Sequence, residues 1–460
     1  MRYVSTRGAS PELGFTDVLL AGLAPDGGLY VPESWPTLPT RAPGATYAQR
    51  AAQVIDLFVD GDLPSTTVLR LCEEAYATFA HPAVVPLVQV DERHFVHELF
   101  HGPTLAFKDV ALQLVGRLFD EVLRAKGQRV TIVGATSGDT GSAAIDGVKG
   151  CANVDIVILY PDGRTSDVQR RQMTTVDSPN VRVVAVDGTF DDCQDLVKAM
   201  FADTAFRDRV GLSAVNSINW ARVMAQVVYY AVAADMLRGP VDVCVPSGNF
   251  GNVFAGWIAK RMGADIGQLV VASNSNDILT RFFRSNDMSA RGVVPSLSPS
   301  MDIQVSSNFE RLLFEMNGRD GGATAEQLQH FRSSGLLTIE PDQRAQFVDG
   351  SFLAGRLDDD ETLEVIRSVY AESGMLLDPH TAVGVGVVKA LQEEGELRGT
   401  TVTMGTAHPA KFPDAVERAT GVRPALPPHL ADLFDRTESL TRLPNDLATI
   451  QQFVLGAFGR

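Results

Sequence analysis

Cysteine is scarce in this sequence. Cys72, Cys151, Cys193 and Cys244 are scattered over 460 residues, in apolar or helical surroundings and with no C-x-x-C pair. That spacing argues against a disulfide framework and against zinc, and buried free thiols in a reducing compartment fit best. Long apolar runs are also missing, and none has the length that spans a bilayer. The opening MRYVSTRGASPELGF lacks the charged-then-apolar pattern of a secretory signal, so a cytoplasmic location is expected. No internal repeat or low-complexity tract is evident. Positive charge is in short supply: 40 Lys and Arg stand against 56 Asp and Glu, a net charge of −16. Nucleic acid and anionic membrane surfaces are therefore disfavoured as partners. An anionic substrate would have to enter a locally positive pocket made from helix N-termini and a few placed cations.

What is present is ordinary globular composition, 45% apolar and 21% charged, at a length that calls for two or three domains. A Pro-rich stretch at 32–43 separates an N-terminal segment from a helical pattern that begins near Tyr47. Strands are expected at 130–133, 154–160 and 181–186, with a helix at 142–148, and this alternation argues for parallel βαβ units. Further buried strands are expected at 241–245, 269–272 and 401–404, the first followed by a glycine loop and a helix through Met262. Residues 296–360 are mixed and polar, and read as an inserted helical segment.

Lys108 stands out by its position. HFVHELF at 94–100 reads as a strand, 101–104 as a turn with Thr104 as helix N-cap, and a helix opens from Leu105. A lysine in a first helical turn faces the positive end of the peptide dipoles, the wrong sign for a structural cation. Leu105, Ala106, Phe107 and Val110 would desolvate it. Both effects favour the neutral, nucleophilic amine, which an imine-forming cofactor requires. Taken alone, Lys108 reads more commonly as a surface lysine whose stem covers an apolar face.

Four loops give that position context. Ser247, Gly248, Asn249, Phe250 and Gly251 follow a buried strand and open a helix, the geometry that binds phosphate. The loop is neither a Walker A motif nor a G-x-G-x-x-G fingerprint, and a tight turn with glycines for packing explains it equally well. ATSGDTG at 135–141 gathers Thr136, Ser137, Asp139 and Thr140 at a second helix start, suited to a carboxylate or phosphate, with Asp139 or Thr140 also able to cap the helix. Asn216, Ser217 and Arg222 place donors and a guanidinium near a third helix start, although exposed helical arginines are commoner than anion clamps. Thr406 follows the last buried strand, where open α/β sheets bind ligands. His408 in the same loop reads as a base or, more commonly, a structural histidine.

With these residues assembled, the chain resembles the threonine synthase family, pyridoxal-phosphate enzymes of the tryptophan-synthase β-like fold type. The resemblance runs through YVSTRG at 3–8, GLAPDGGLYVP at 22–32, ELFHGPTLAFKD at 98–109, ATSGDTG at 135–141, NSINWAR at 216–222, SGNFG at 247–251, SPSMDIQVSSNFER at 298–311 and TAHPAKF at 406–412. It implies an α/β chain of fold type II, with two open, mainly parallel domains flanking the cofactor. The expected divisions are an N-terminal segment at 1–95, a large cofactor-binding domain at 96–129 and 215–430 that carries the 296–360 insertion, a small domain at 130–214, and a helical tail at 431–460.

The resemblance implies that Lys108 bonds covalently to pyridoxal 5'-phosphate. Ser247, Gly248, Asn249, Phe250 and Gly251 would hold its phosphate, Thr406 its ring nitrogen, and Asp139 its face. Thr136, Ser137 and Thr140 would take the substrate carboxylate, and Asn216, Ser217 and Arg222 the substrate phosphate. Related folds often carry asparagine where Asp139 stands, and an anion there would repel the cofactor phenolate. The reaction implied converts O-phospho-L-homoserine and water to L-threonine and phosphate, with no metal, in a monomer or homodimer. A serine or threonine dehydratase or phospho-lyase on the same scaffold is the first alternative. A non-enzymatic phosphate-binding module is the second.

Overall fold

The computed structural model describes residues 1–213, 217–237 and 239–458. Two sheets organise it. The larger runs in the order Phe352–Arg356, Ile266–Ser273, Val241–Pro246, Thr400–Gly405, His94–Glu98, Leu87–Gln89. All its pairings are parallel except the terminal hairpin, where Leu87–Gln89 meets His94–Glu98 antiparallel. The smaller runs Thr441–Pro444, Val181–Asp187, Val154–Pro161, Val130–Ala135, Leu212–Ser213, all parallel. Parallel strands covered on both faces read as continuous apolar runs, and every residue of Val154–Pro161 is buried. The strands expected from such runs are present, each within a few residues of its expected bounds.

Two stretches differ from expectation. Residues 296–360, read as a helical insertion, do hold helices, but they also supply Phe352–Arg356, the edge strand of the larger sheet. That strand has no β-branched run, and Gly355 replaces one because a Cβ there would fall 2.6 Å from Val387 Cγ1. The tail at 431–460, expected as helical, holds the strand Thr441–Pro444 before the helix Leu447–Gly456. An edge strand this short is half-exposed and ends on proline, so it carries little apolar signal. Of the cysteines, all free, Cys151 is only half-buried, while the other three are buried as expected. Among the described residues, no helix is long and apolar enough to cross a membrane.

The N-terminal segment is part of the main core. Tyr3–Ser5 pairs with Tyr30–Pro32, and Tyr3, Trp35 and Phe58 surround the buried Trp220 ring. Arg7 meets Glu310 through two hydrogen bonds of 3.1 and 3.0 Å, tying the segment to the 298–311 region. The Trp220–Met236 helix is buried all round from Trp220 to Ala233, as an apolar helix inside a large core must be.

One helix crossing sets up the site. The Lys108–Lys126 and Asp139–Val148 helices cross at Gly116 and Gly147. A Cβ on Gly116 would lie 2.0 Å from the Gly147 carbonyl oxygen, and one on Gly147 would lie 2.5 Å from the Leu112 carbonyl oxygen. The backbones therefore touch directly. Each glycine lies about 12 Å along its helix from the first residue, Lys108 in one and Asp139 in the other, at 1.5 Å per residue. Gly147→Ala must push the helices apart and is expected to cost about 1–3 kcal/mol or more, read as a lowered denaturation midpoint. A wild-type midpoint would show that the crossing is not tight.

Candidate active site

The turn before Lys108 is built by side-chain hydrogen bonds. Asp109 accepts from the Thr104 N–H at 2.8 Å and from the Thr104 hydroxyl at 2.6 Å. Thr104 is therefore not the helix N-cap expected for it. The helix opens at Lys108, three residues later than the pattern suggested, because Leu105 takes a left-handed conformation at φ 63°. This turn is stitched to the loop after Thr400–Gly405: the Phe107 N–H donates to the Thr406 carbonyl at 2.9 Å, and the His408 N–H to the Leu105 carbonyl at 3.0 Å.

Lys108 is 9% exposed, so the surface-lysine alternative does not hold. Its Nζ lies 3.2 Å from Asp139 Oδ2 and 3.4 Å from Ser300 Oγ. Burial pushes the amine below its ordinary range. Asp139 opposes that shift, while the Lys411 and Arg222 cations add to it. Asp139 opens its own helix and also accepts from Gln169 Nε2 at 2.8 Å and from Ser300 Oγ at 3.2 Å, and pairs with Lys411 Nζ at 2.9 Å. Burial alone would raise its carboxyl, but Lys108 and Lys411 hold it well below the usual range.

Neither Asp139 nor Thr140 caps its helix. Gly138 occupies the N-cap at φ 144°, where a Cβ would fall 2.6 Å from Gln169 Cδ. The Thr136 hydroxyl accepts the N–H groups of Gly138 at 3.0 Å and Gly141 at 2.9 Å. Ser137 is exposed and Thr140 half-buried.

In the 247–251 loop, Ser247 spends its N–H on the Ala272 carbonyl at 3.0 Å. The Gly248 carbonyl accepts from Ser306 Oγ at 2.8 Å, and the Asn249 carbonyl from the Asn308 N–H at 3.1 Å. With the carbonyls tied back, the N–H groups of Gly248, Asn249, Phe250 and Gly251 meet no acceptor among the described residues. They stand at the start of the Gly251–Arg261 helix, with Phe250 left-handed at φ 64° in its N-cap. Gly248 lets residues 300–303 press close, since a Cβ would lie 3.0 Å from the Ser300 carbonyl oxygen. An N–H-lined cradle at a helix start is what a phosphate needs.

Two of the buried polar groups that lack partners among the described residues belong to the loops singled out in the sequence. Thr406 Oγ1 is one, although the Thr406 N–H donates to Thr381 Oγ1 at 3.1 Å. Arg222 is the other: 3% exposed, with Nε and Nη1 unmet, and pushed down to about 10 by burial. The commoner fate of a helical arginine, exposure, is not this one's. Ser217 is half-buried, with its carbonyl accepting from Asn308 Nδ2 at 3.1 Å. Asn216 lies outside the described residues. His408 caps the short turn Pro409–Lys411, its Nδ1 accepting the Ala410 N–H at 3.1 Å, and burial pushes it down to about 4.

The site also holds groups that spacing did not reveal: Lys411, Gln169, Ser300, and the pair Asp378 and His380. His380 Nε2 accepts the Ser300 N–H at 3.2 Å, which leaves Nδ1 to donate to Asp378 Oδ1 at 2.9 Å. The motifs TAHPAKF and SPSM flagged Lys411 and Ser300 without showing what either meets. Among the described residues, no group of three or more His, Cys, Asp or Glu is placed to hold a metal ion.

Comparison with known proteins covers nearly the whole chain. Residues 2–76 match the family model "Threonine synthase N terminus", 81–332 "Pyridoxal-phosphate dependent enzyme", and 381–454 "Threonine synthase, C-terminal". A threonine synthase of Pseudomonas aeruginosa is 55% identical over 99% of this chain and 98% of its own length. The crystal structure of PLP-bound threonine synthase from Brucella melitensis superposes with a TM-score of 0.96 at 51% identity, over 100% of both chains. The yeast threonine synthase structure gives 0.94 at 38% identity, over 99% of this chain and 98% of that one.

Proposed function

The chain belongs to the threonine synthase family, and we propose that Lys108 bonds its pyridoxal 5'-phosphate while Arg222 holds the substrate phosphate. The family activity is that of a pyridoxal-phosphate-dependent lyase, which converts O-phospho-L-homoserine and water to L-threonine and phosphate. When bound, the cofactor supplies an electron sink for charge left on substrate carbon. The free N–H groups of Gly248, Asn249, Phe250 and Gly251 fit its phosphate, with Ser247 anchoring the loop's first residue to the sheet. The unpartnered Thr406 hydroxyl fits the ring nitrogen and brings no charge to it. Asp139 lies at the amine end of the cofactor site, where Lys108 and Lys411 balance its charge.

The chain's own groups account for the remaining work. Lys108 Nζ, whose pKa burial pushes below the ordinary lysine range, takes protons from substrate carbon and returns them. The loop of Thr136, Ser137 and Thr140 receives the substrate carboxylate at a helix start, with Thr136 shaping the loop through its two accepted N–H bonds. Charge accumulates on phosphate as it leaves, and Arg222, with Ser217, would stabilise it; Asn216, expected to assist, lies outside the described residues. The two sheets are proposed as two domains flanking this site.

The buried Arg222 guanidinium, with two nitrogens unmet, carries the assignment of an anionic substrate group. It favours a phosphorylated substrate over the unphosphorylated serine or threonine of the dehydratase alternative.

Incubation with cofactor and O-phospho-L-homoserine, followed by amino-acid analysis, is expected to yield threonine; a 2-oxo acid would support the deaminating alternative. Lys108→Ala is expected to abolish covalent cofactor attachment and nearly all turnover, and wild-type activity in that variant would remove the assignment. Arg222→Ala should raise KM and lower kcat with cofactor binding preserved. Charge-assisted contacts are worth about 1.5–3 kcal/mol, roughly a tenfold to hundredfold effect. Unchanged kinetics would place the substrate phosphate elsewhere.

A further inference from the structure

Asp139 sits between two lysines. Lys108 Nζ approaches Oδ2 at 3.2 Å, and Lys411 Nζ approaches Oδ1 at 2.9 Å. Lys411 is fully buried, and its amine also donates to the Thr104 carbonyl at 2.8 Å, in the turn that leads into Lys108. No step described above uses Lys411. A second buried cation beside a reactive amine calls for a physical account.

The account follows from charge. A buried carboxylate without a cation is costly, so Asp139 must always be paired. Lys108 cannot be its permanent partner, because an ammonium has no lone pair to attack a carbonyl. The attacking amine must be neutral: it adds to the aldehyde carbon, and the aldehyde oxygen leaves as water with the two amine protons. We propose that Lys411 is a positioning residue for the cofactor lysine: it remains the counter-ion of Asp139 and thereby frees the Lys108 amine to react. The inference rests on Lys108 being the cofactor lysine.

The other charged groups around the pair are few. Arg222, on the Trp220–Met236 helix, is a cation that acts on Lys108 in the same direction as Lys411. His380 faces Asp139, but its Nε2 accepts the Ser300 N–H and therefore carries no proton. Asp109 lies near Lys411, and burial pushes its carboxyl up to about 7 while Thr104 hydrogen-bonds it. Gln169 and Ser300 add neutral donors to Asp139. Lys411 is thus the nearest cation able to hold Asp139 when Lys108 gives up its charge. The same pairing accommodates an aspartate where related folds carry a neutral asparagine.

A purely structural Lys411, tethering the Thr104 turn, makes a different prediction, and two substitutions separate them. Lys411→Gln keeps hydrogen-bond donors and removes the charge, whereas Lys411→Arg keeps the charge. The readout is the rate at which protein stripped of cofactor gains visible absorbance when pyridoxal phosphate is added, measured against pH. Borohydride reduction and peptide mapping then locate the bond. In Lys411→Gln the pH midpoint for attachment is expected to rise by about one unit, making attachment roughly tenfold slower below it, while Lys411→Arg stays within about half a unit of the parent. Asp139→Asn combined with Lys411→Gln removes both charges and is expected to restore the parental midpoint. This double variant carries the test if circular dichroism shows Lys411→Gln unfolded, and a midpoint in it still raised by about one unit overturns the inference. A parental midpoint in folded Lys411→Gln, with the label on Lys108, overturns the inference while leaving the cofactor assignment intact. A label on another lysine in the parent protein overturns both.

Discussion

The contact between Lys108 and Asp139 joins the two halves of the site. Each residue opens a helix, and each helix follows an element of a different sheet, so one ion pair couples both sheets. Placing a buried amine against a buried carboxylate at two helix starts is unfavourable for the amine and favourable for the carboxylate. The consequence is an asymmetric pair in which the carboxyl is held well below its usual range by the neighbouring lysines while burial pushes the amine below its own. The turn fixed by Asp109 and the loop stitched through Thr406 and His408 hold the amine in that setting.

The chain carries a large excess of negative charge, yet the site concentrates buried cations. Lys108, Lys411, Arg222 and Arg311 are all buried in it or on its borders. Arg311 is fully enclosed and donates to the carbonyls of Tyr30 and Ile218, so its charge is spent on holding the backbone that precedes Arg222. Arg222, four residues beyond Ile218, has two side-chain nitrogens without partners among the described residues, which is why a ligand role is proposed for it. This division answers the constraint set by the net charge of −16: the local positive field is made by a few enclosed side chains and by helix starts.

Much of this was legible in the sequence because it rests on local pattern. Continuous apolar runs gave the central strands, and the Gly-rich turns after them gave the loops. Lys108 could be singled out because dipole direction and neighbouring apolar residues are local properties. Other features depend on contacts between residues far apart in the chain. Lys411 reads as one lysine in a loop, and only the fold sets it against Asp139. Asp378 and His380 sit at the start of a buried helix, and their connection to Lys108 passes through Ser300. The strands Phe352–Arg356 and Thr441–Pro444 were hidden because edge strands need little apolar sequence of their own. The N-cap reading of Thr104 failed because Asp109 reverses the usual roles, with a helical side chain accepting from the turn before it.

The crossing at Gly116 and Gly147 has a mechanical consequence. The separation of the two reactive tips is fixed where main chain meets main chain, with no side chain between them to rotate or compress. Hydrostatic pressure acts mainly by eliminating internal voids, and backbone set directly against backbone leaves little space of that kind at the two glycines. The spacing of amine and carboxylate therefore depends in part on a fulcrum about 12 Å behind both tips, where a single added methyl group would act as a wedge.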